Sequence, residues 1–332
     1  MKICFVAWSD FGIGGVPRVL TCLMDALSRK HDVSLYSLKN LPQSGIQGID
    51  REQIHIYCRE MNLYEKIRRS AADVLVCKTP LFSSALGCRL YAAARYTSGF
   101  KKALTNHLNK HQYDVVIFGS GFEDSLLLAL TKNKLLPSMR ILTWSHASYD
   151  NYFTNMGPFF SRYMKEAIKA YYHRFDEIIV LSDGDEKEFR EKHHLPARRI
   201  YNPNTMNPAR KSPLTSKTFV YVGALSHQKG TDLAVRAFHR FIETDQEWNL
   251  HIYGEGPLKG WIEEYVSSNG LHHRMRKYGG RISPPFHPAL SLPLRRLRPR
   301  PGGSHVLRTA YSGGGYTYLS GNSGQTSRRH PF

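Results

Sequence analysis

The chain has 332 residues, enough for two domains with a core each, and its 41% hydrophobic and 12% aromatic residues exclude a disordered, collagen-like or coiled-coil protein. Its 46 Lys+Arg against 27 Asp+Glu give a net charge of +19, a balance that points to nucleic acid, an anionic membrane or phosphorylated substrates. The charge is uneven: no carboxylate follows Glu264 while eleven Lys and Arg do, which leaves +8 on the first 264 residues.

The opening run MKICFVAW is too short for a secretory signal and reads as a strand, Ile3–Trp8. Further strands are expected at Val33–Leu38, Ile54–Tyr57, Asp114–Gly119, Arg140–Trp144 and Glu177–Leu181. Helical periodicity lies between them at Val16–Lys30, Arg89–Lys110, Ser125–Lys134, Phe159–Phe175 and Asp185–His194. This alternation implies βαβ units and a mostly parallel sheet, an α/β domain over residues 1–201. Pro203, Pro208 and Pro213 among Asn and Ser mark a linker over 202–217.

A second βαβ series then runs Phe219–Val222, Thr231–Ile242, Asn249–Tyr253, Pro257–Ser268 and Met275–Tyr278, a partial domain over 218–282. Residues 283–332 hold seven prolines, repeated Gly and Ser, and no sustained period, a composition that predicts disorder. No apolar run approaches the ~18 residues of a membrane span. Cys4, Cys22, Cys58, Cys77 and Cys88 are odd in number and lack CxxC spacing, so buried free thiols in a cytoplasmic protein are expected, with no metal site.

Three turns carry candidate chemistry. The first, GIGGVPRVL at Gly12–Leu20, follows the first strand; Gly14 and Gly15 let a ligand approach the backbone at the head of a helix, where free N–H groups favour an anion. Its spacing is not GxGxxG, and a Gly-rich turn serves plain turn geometry equally well. The second, within Phe219–Phe241, sets Lys229 and Gly230 at a helix start. A cation there opposes the helix dipole, which favours a phosphate-binding role over a stabilising one. The third is YGEGPL, Tyr253–Leu258, with Gly254, Gly256 and a Pro suited to a first helical turn.

Together the segments Gly223–Gly230, Gly254–Pro257 and Tyr278–Gly280 resemble the GT-B glycosyltransferases, most closely the large retaining family 4 (also called group 1), whose second domain carries a G-R-L-x-x-x-K-G turn, a G-x-G-P turn and a strand ending in Gly. The resemblance covers residues 1 to about 282. It implies two Rossmann-like domains facing a cleft, the second incomplete here, and transfer of a sugar from a UDP- or GDP-linked donor, a co-substrate and no separate cofactor. The acceptor implied is a saccharide or lipid-linked saccharide of cell-surface polysaccharide synthesis: capsule, O-antigen or lipopolysaccharide. Gly223, Gly230, Gly254, Gly256 and Gly280 are then expected at the nucleotide diphosphate, with Gly14 and Gly15 on the opposite wall. Lys229 is expected to stabilise the departing diphosphate and His146, just after a strand, to face the transferring sugar, although such a histidine equally serves structure.

Two departures qualify the resemblance. Ala224 stands where the family has an arginine, and the family's E-x7-E element cannot occur in a chain with no carboxylate after Glu264. Loss of acids, of Lys after Lys277 and of periodicity, with Arg, Pro and Gly rising, has the look of a shifted reading frame after about residue 282, so an impaired enzyme is expected. A cluster of nine Lys and Arg against two acids in residues 61–110, interleaved with apolar residues, suits contact with anionic lipid on the inner face of the cytoplasmic membrane; a solvated helix face is the alternative. A non-catalytic nucleotide-sugar binder and a basic-tail nucleic-acid binder are the competing functions, the latter disfavoured because no nucleic-acid fingerprint is present.

Overall fold

The computed structural model describes residues 1–8, 11, 14–41, 46, 52–78, 85–120, 122, 124–153, 162–204 and 215–278. The expectations for Gly280, for the tail 283–332 and for most of the linker lie outside them. The described residues fall into two compact units, 1–204 and 215–278.

The first unit is a parallel sheet of seven strands in the order β3-β2-β1-β4-β5-β6-β7. They are β1 (Lys2–Ala7), β2 (Asp32–Ser37), β3 (Ile54–Cys58), β4 (Val115–Ser120), β5 (Arg140–Trp144), β6 (Glu177–Val180) and β7 (Ala197–Arg199). Period-2 alternation in β1 divides the core. Ile3, Phe5 and Ala7 face one layer, with Leu20 and Met24 of α1 (Gly15–Ser28); Cys4 and Val6 face the other, with Phe100, Leu104 and Leu108 of α4 (Ser98–His111). Gly119 lets α1 lie close on β4, since a Cβ there would stand 2.4 Å from Leu20 Cδ2. The order reverses at β1 and β4, and at such a switch point parallel sheets open a crevice at their carboxyl ends.

The helix expected over Arg89–Lys110 is two helices, α3 (Ala85–Arg95) and α4. Thr97 separates them: it is extended and its Oγ1 accepts from Phe100 N–H at 3.1 Å, an N-cap that starts α4 afresh. A further helix, α2 (Leu63–Lys78), opens with a capping box in which Asn62 and Glu65 exchange backbone-to-side-chain bonds of 2.9 and 3.1 Å. The unit is completed by α5 (Leu126–Thr131), α6 (Tyr149–Phe153), α7 (Arg162–Tyr171) and α8 (Asp183–His193). Of the cysteines, Cys4 and Cys88 are buried as expected, whereas Cys58 is exposed at the end of β3.

Among the described residues the second unit has three parallel strands in the order β10-β9-β8: β8 (Thr218–Val222), β9 (Asn249–Tyr253) and β10 (Met275–Tyr278). Its core sets Tyr221, Leu250 and Ile252 against Val235 and Phe238 of α9 (Thr231–Ile242) and Ile262 and Val266 of α10 (Lys259–Ser268). Phe219 and Trp248 stack at 4.6 Å to close one end.

Candidate active site

In the first unit the switch point gathers the ends of β1, β4 and β5. Trp8 N–H donates to Ser120 Oγ at 2.6 Å, fixing the exit of β1 against that of β4. His146, two residues past β5, is half-buried and donates from Nε2 to the Gly119 carbonyl at 3.0 Å, while its ring lies parallel to Trp144 with centroids 5.9 Å apart. Because a carbonyl accepts only, the proton sits on Nε2, and the buried Nδ1 keeps its lone pair without a partner among the described residues. Burial lowers the imidazole pKa from the ordinary 6.5 to about 4, against the opposing pull of the Gly119 carbonyl, so the ring is neutral near pH 7.

α1 begins beside this point with Gly14 as its N-cap, and no side chain caps it. Gly14 itself is extended, a conformation open to any residue, and its nearest neighbour for a Cβ is the Pro17 ring at 3.2 Å. On the other side of Trp8 lies an ionic cluster that residue spacing did not disclose. Arg69 stacks its guanidinium 3.9 Å above the Trp8 ring and reaches Asp124 Oδ1 at 2.7 Å; Arg95 reaches the same oxygen at 2.8 Å and Asp73 at 2.5 Å. Burial raises the Asp124 carboxyl pKa, but the two guanidiniums outweigh it and hold the group ionised below the usual range. The members are scattered over α2, α3 and the loop after β4, so only the fold unites them.

In the second unit the two glycine turns form one object. Leu225 N–H donates to the Glu255 carbonyl at 3.0 Å, Leu258 N–H to the Leu225 carbonyl at 2.9 Å, and Gly223 N–H to the Tyr253 carbonyl at 3.0 Å. Gly254 and Gly256 are where that lacing needs glycine: a Cβ would stand 1.9 Å from Gly223 O and 2.5 Å from Leu225 O respectively. These two glycines therefore serve the approach of turn to turn. Gly223 has no such constraint, its nearest neighbour being Tyr221 Oη at 3.5 Å.

Beyond this lacing a single helical turn, His227–Lys229, leads through Gly230 at φ 65, the left-handed region, into α9. Thr231, wholly buried, ties the turn down: its Oγ1 bonds Tyr221 Oη at 2.7 Å and accepts from Ser226 N–H at 3.2 Å. Tyr221 Oη also donates to the Lys229 carbonyl at 3.3 Å, which fixes the backbone of the lysine at the head of α9. Lys229 is half-buried, and burial lowers its ammonium pKa below the ordinary value. A cation held against the positive end of a helix with no side-chain cap is arranged for an anion. The structure thus brings Gly223, Gly230, Gly254, Gly256 and Lys229 into one turn assembly, and sets His146 and Gly14–Gly15 at the switch point of the first unit; the Tyr221–Thr231 lock escaped notice because its two residues read as ordinary strand and helix positions.

Two Rossmann-like units, each with its loops at the carboxyl ends of parallel strands, define the GT-B glycosyltransferase class. The chain belongs to glycosyltransferase family 4: residues 13–203 match the family described as Glycosyltransferase Family 4, and residues 204–282 match Glycosyl transferases group 1. An uncharacterized glycosyltransferase of Haemophilus influenzae is 24% identical over 259 residues, 77% of this chain and 62% of the relative. The chain spans less than two-thirds of the length of each curated relative it matches, 62% in the fullest case. Among solved structures, a lipopolysaccharide outer core galactosyltransferase shares the fold at a TM-score of 0.53 and 17% identity, covering 86% of this chain and 69% of that one. Anabaena HepE, solved with UDP-glucose, does so at 0.54 and 15% identity, covering 85% and 69%.

The neutral histidines make stability depend on pH. His107, on α4, is likewise lowered to about 4, first by burial and then by His111 and Lys110. A base whose folded pKa lies below its unfolded value of 6.5 favours the fold fully above that value and withdraws the stabilisation as pH falls towards 4. The melting temperature of the whole chain should therefore drop between about pH 6.5 and 4, and His107→Leu should flatten that slope in calorimetric scans. An unchanged slope in the variant contradicts the assignment.

Proposed function

We propose that the chain grips the diphosphate of a sugar nucleotide, UDP- or GDP-linked, through the paired turns of its second unit and transfers the hexosyl group to a saccharide or lipid-linked acceptor of cell-surface polysaccharide, with retention at the anomeric carbon. The observation that carries this reading is Lys229, fixed by Tyr221 and Thr231 at an uncapped helix start beside the laced Gly223 and Gly254 turns. HepE bound UDP-glucose, which supports a sugar-nucleotide ligand for this fold.

In the reaction the bond from the anomeric carbon to the diphosphate oxygen breaks as a bond to an acceptor hydroxyl oxygen forms, and the hydroxyl proton passes to the departing diphosphate. Negative charge grows on the leaving diphosphate, and the Lys229 ammonium with the first N–H groups of α9 stabilises it. That contact also relieves the burial that lowers the ammonium pKa. His146, neutral and with Nδ1 unprotonated, is suited to accept a hydrogen bond from a sugar hydroxyl, not to act as an acid.

The E-x7-E contacts that the family resemblance implies for donor sugar and ribose have no carboxylate within residues 265–332 to make them, and on this reading residues 1–332 turn over slowly. The expected result is slow nucleotide diphosphate release from UDP-glucose, UDP-N-acetylglucosamine or GDP-mannose, stimulated by a lipid extract as acceptor source. Binding without any release selects a non-catalytic sugar-nucleotide binder instead. Residues 283–332 are proposed to arise from a shifted frame, so the encoding DNA should yield an E-x7-E segment in another frame beyond codon 282; its absence from both frames overturns that part.

A further inference from the structure

Helices α2 and α3 bury charge and expose hydrocarbon. On α2 the inward line is Glu65, paired with Arg59 at 3.0 Å, then Arg69 and Asp73 of the ionic cluster. The outward line is Leu63, Ile67 and Val74, 73%, 61% and 52% exposed, spaced to fall on one side of a helix of 3.6 residues per turn. On α3, packed beside it, Cys88, Tyr91 and Ala92 are buried while Leu86 and Leu90 stand 67% and 59% exposed. With Tyr64, these two helices hold six of the ten large exposed hydrophobic residues among the described residues. A concentrated apolar face of this kind marks a partner, where scattered ones need none.

The charge around the face has one sign. The acids of the two helices, Glu65 and Asp73, are held in ion pairs, which leaves three cations: Lys66, paired with Glu60; Arg68, which donates to Tyr64 Oη at 3.2 Å and to the Ala93 carbonyl at 3.3 Å; and exposed Arg89, hydrogen-bonded to Tyr171. Arg68 lies close to Lys101 on α4 and, with Lys134, adds to the burial that lowers the Lys101 pKa; no carboxylate pairs with any of the three among the described residues. The expectation of a basic face over 61–110 is thereby corrected in its members: Arg69 and Arg95 belong to the interior.

We propose that the outward face of α2 and α3 seats on an anionic phospholipid bilayer, with Leu63, Ile67, Val74, Leu86 and Leu90 entering the headgroup–acyl boundary and Arg68, Arg89 and Lys101 lying at the lipid phosphates. A second copy is the poorer occupant, because a two-fold contact sets the uncompensated Arg68 and Arg89 against their own like. None of the described helices is long and apolar enough to cross a membrane, so the contact is interfacial. The inference deepens the transferase reading only in placing the acceptor at a bilayer, and vesicle binding is measured separately from donor binding.

The test is co-sedimentation of the full chain with vesicles of phosphatidylcholine alone and of phosphatidylcholine with phosphatidylglycerol. Binding is expected to the anionic vesicles and to weaken with salt. It should fall about tenfold or more in the Ile67→Glu, Leu90→Glu double variant, with thermal unfolding and donor binding unchanged because these two side chains are exposed, and several-fold in Arg68→Gln, Arg89→Gln, with donor binding unchanged. No sedimentation with anionic vesicles, undiminished binding by the apolar double variant, or a wild-type dimer that this variant dissociates would each overturn the proposal. Vesicle binding in a chain that binds no sugar nucleotide overturns the transferase reading and leaves this one standing.

Discussion

Lys229→Ala should weaken sugar-nucleotide binding by roughly 10- to 100-fold in equilibrium dialysis, the loss expected for one charge-assisted contact to a diphosphate at ~1.5–3 kcal/mol. The fold should survive, because alanine keeps two main-chain bonds of this residue, from Tyr221 Oη to its carbonyl and from its N–H to the Ser226 carbonyl. Lys229→Arg should recover part of the affinity, since the charge returns on a longer, planar group. The loss should be confined to ligands that carry a diphosphate, with free nucleoside binding changed little. Equal losses for nucleoside and sugar nucleotide would mean that the substitution disturbs the turn and not a phosphate contact.

Among the described turns, Gly254→Ala should have the largest effect on stability of any single added methyl. The new Cβ meets the Gly223 carbonyl at 1.9 Å, and the φ of 149 lies where side chains are strained before any contact is counted. Neither obstacle is the flexible end of a side chain; the two turns must part, and with them the bonds through Leu225. A cost above ~3 kcal/mol is expected, enough to melt a small three-stranded unit. Hydrogen exchange should then lose its protection over β8, β9 and β10 while β1 and β4 keep theirs. Gly223→Ala makes the useful contrast, because its Cβ has ordinary room and no left-handed requirement. It should leave exchange unchanged and lower donor affinity, which separates a glycine that serves a ligand from glycines that serve the fold.

Much of this architecture was legible before any coordinates. Strands such as β1, β4 and β9 are dense in β-branched and aromatic residues, and the helix start after Gly230 announces itself by a glycine and a lysine. The failures have physical causes. Arg89–Lys110 has continuous helical periodicity, and a single Thr side chain that caps Phe100 is what divides it. α2 is not legible because its pattern is inverted: apolar residues at 63, 67 and 74 face water and charged ones at 65 and 69 face the protein, so no apolar stripe lies opposite a polar one. β7 is a three-residue edge strand with two arginines, too short and too charged to show period 2.

The candidate residues divide in the same way. Those of the second unit were readable from order and spacing alone, since the turns lie close in sequence and need glycine for reasons that hold in any chain. What spacing did not convey is that Gly254 and Gly256 are there for the close approach of the Gly223–Leu225 turn, a fact about backbone contact between the ends of two strands. Those of the first unit rest on contacts between residues far apart in sequence, such as His146 on the Gly119 carbonyl and Arg69 across Trp8 to Asp124. Composition marked those arginines as surface charge, and their burial narrowed the outward basic face to a few residues beside exposed leucines.

The most direct test of the account is calorimetric titration of UDP-glucose and GDP-mannose into the full chain. Saturable binding of at least one, lost or sharply weakened in Lys229→Ala, is the predicted result; no heat of binding at millimolar donor in a chain whose second unit is protected from exchange would contradict it.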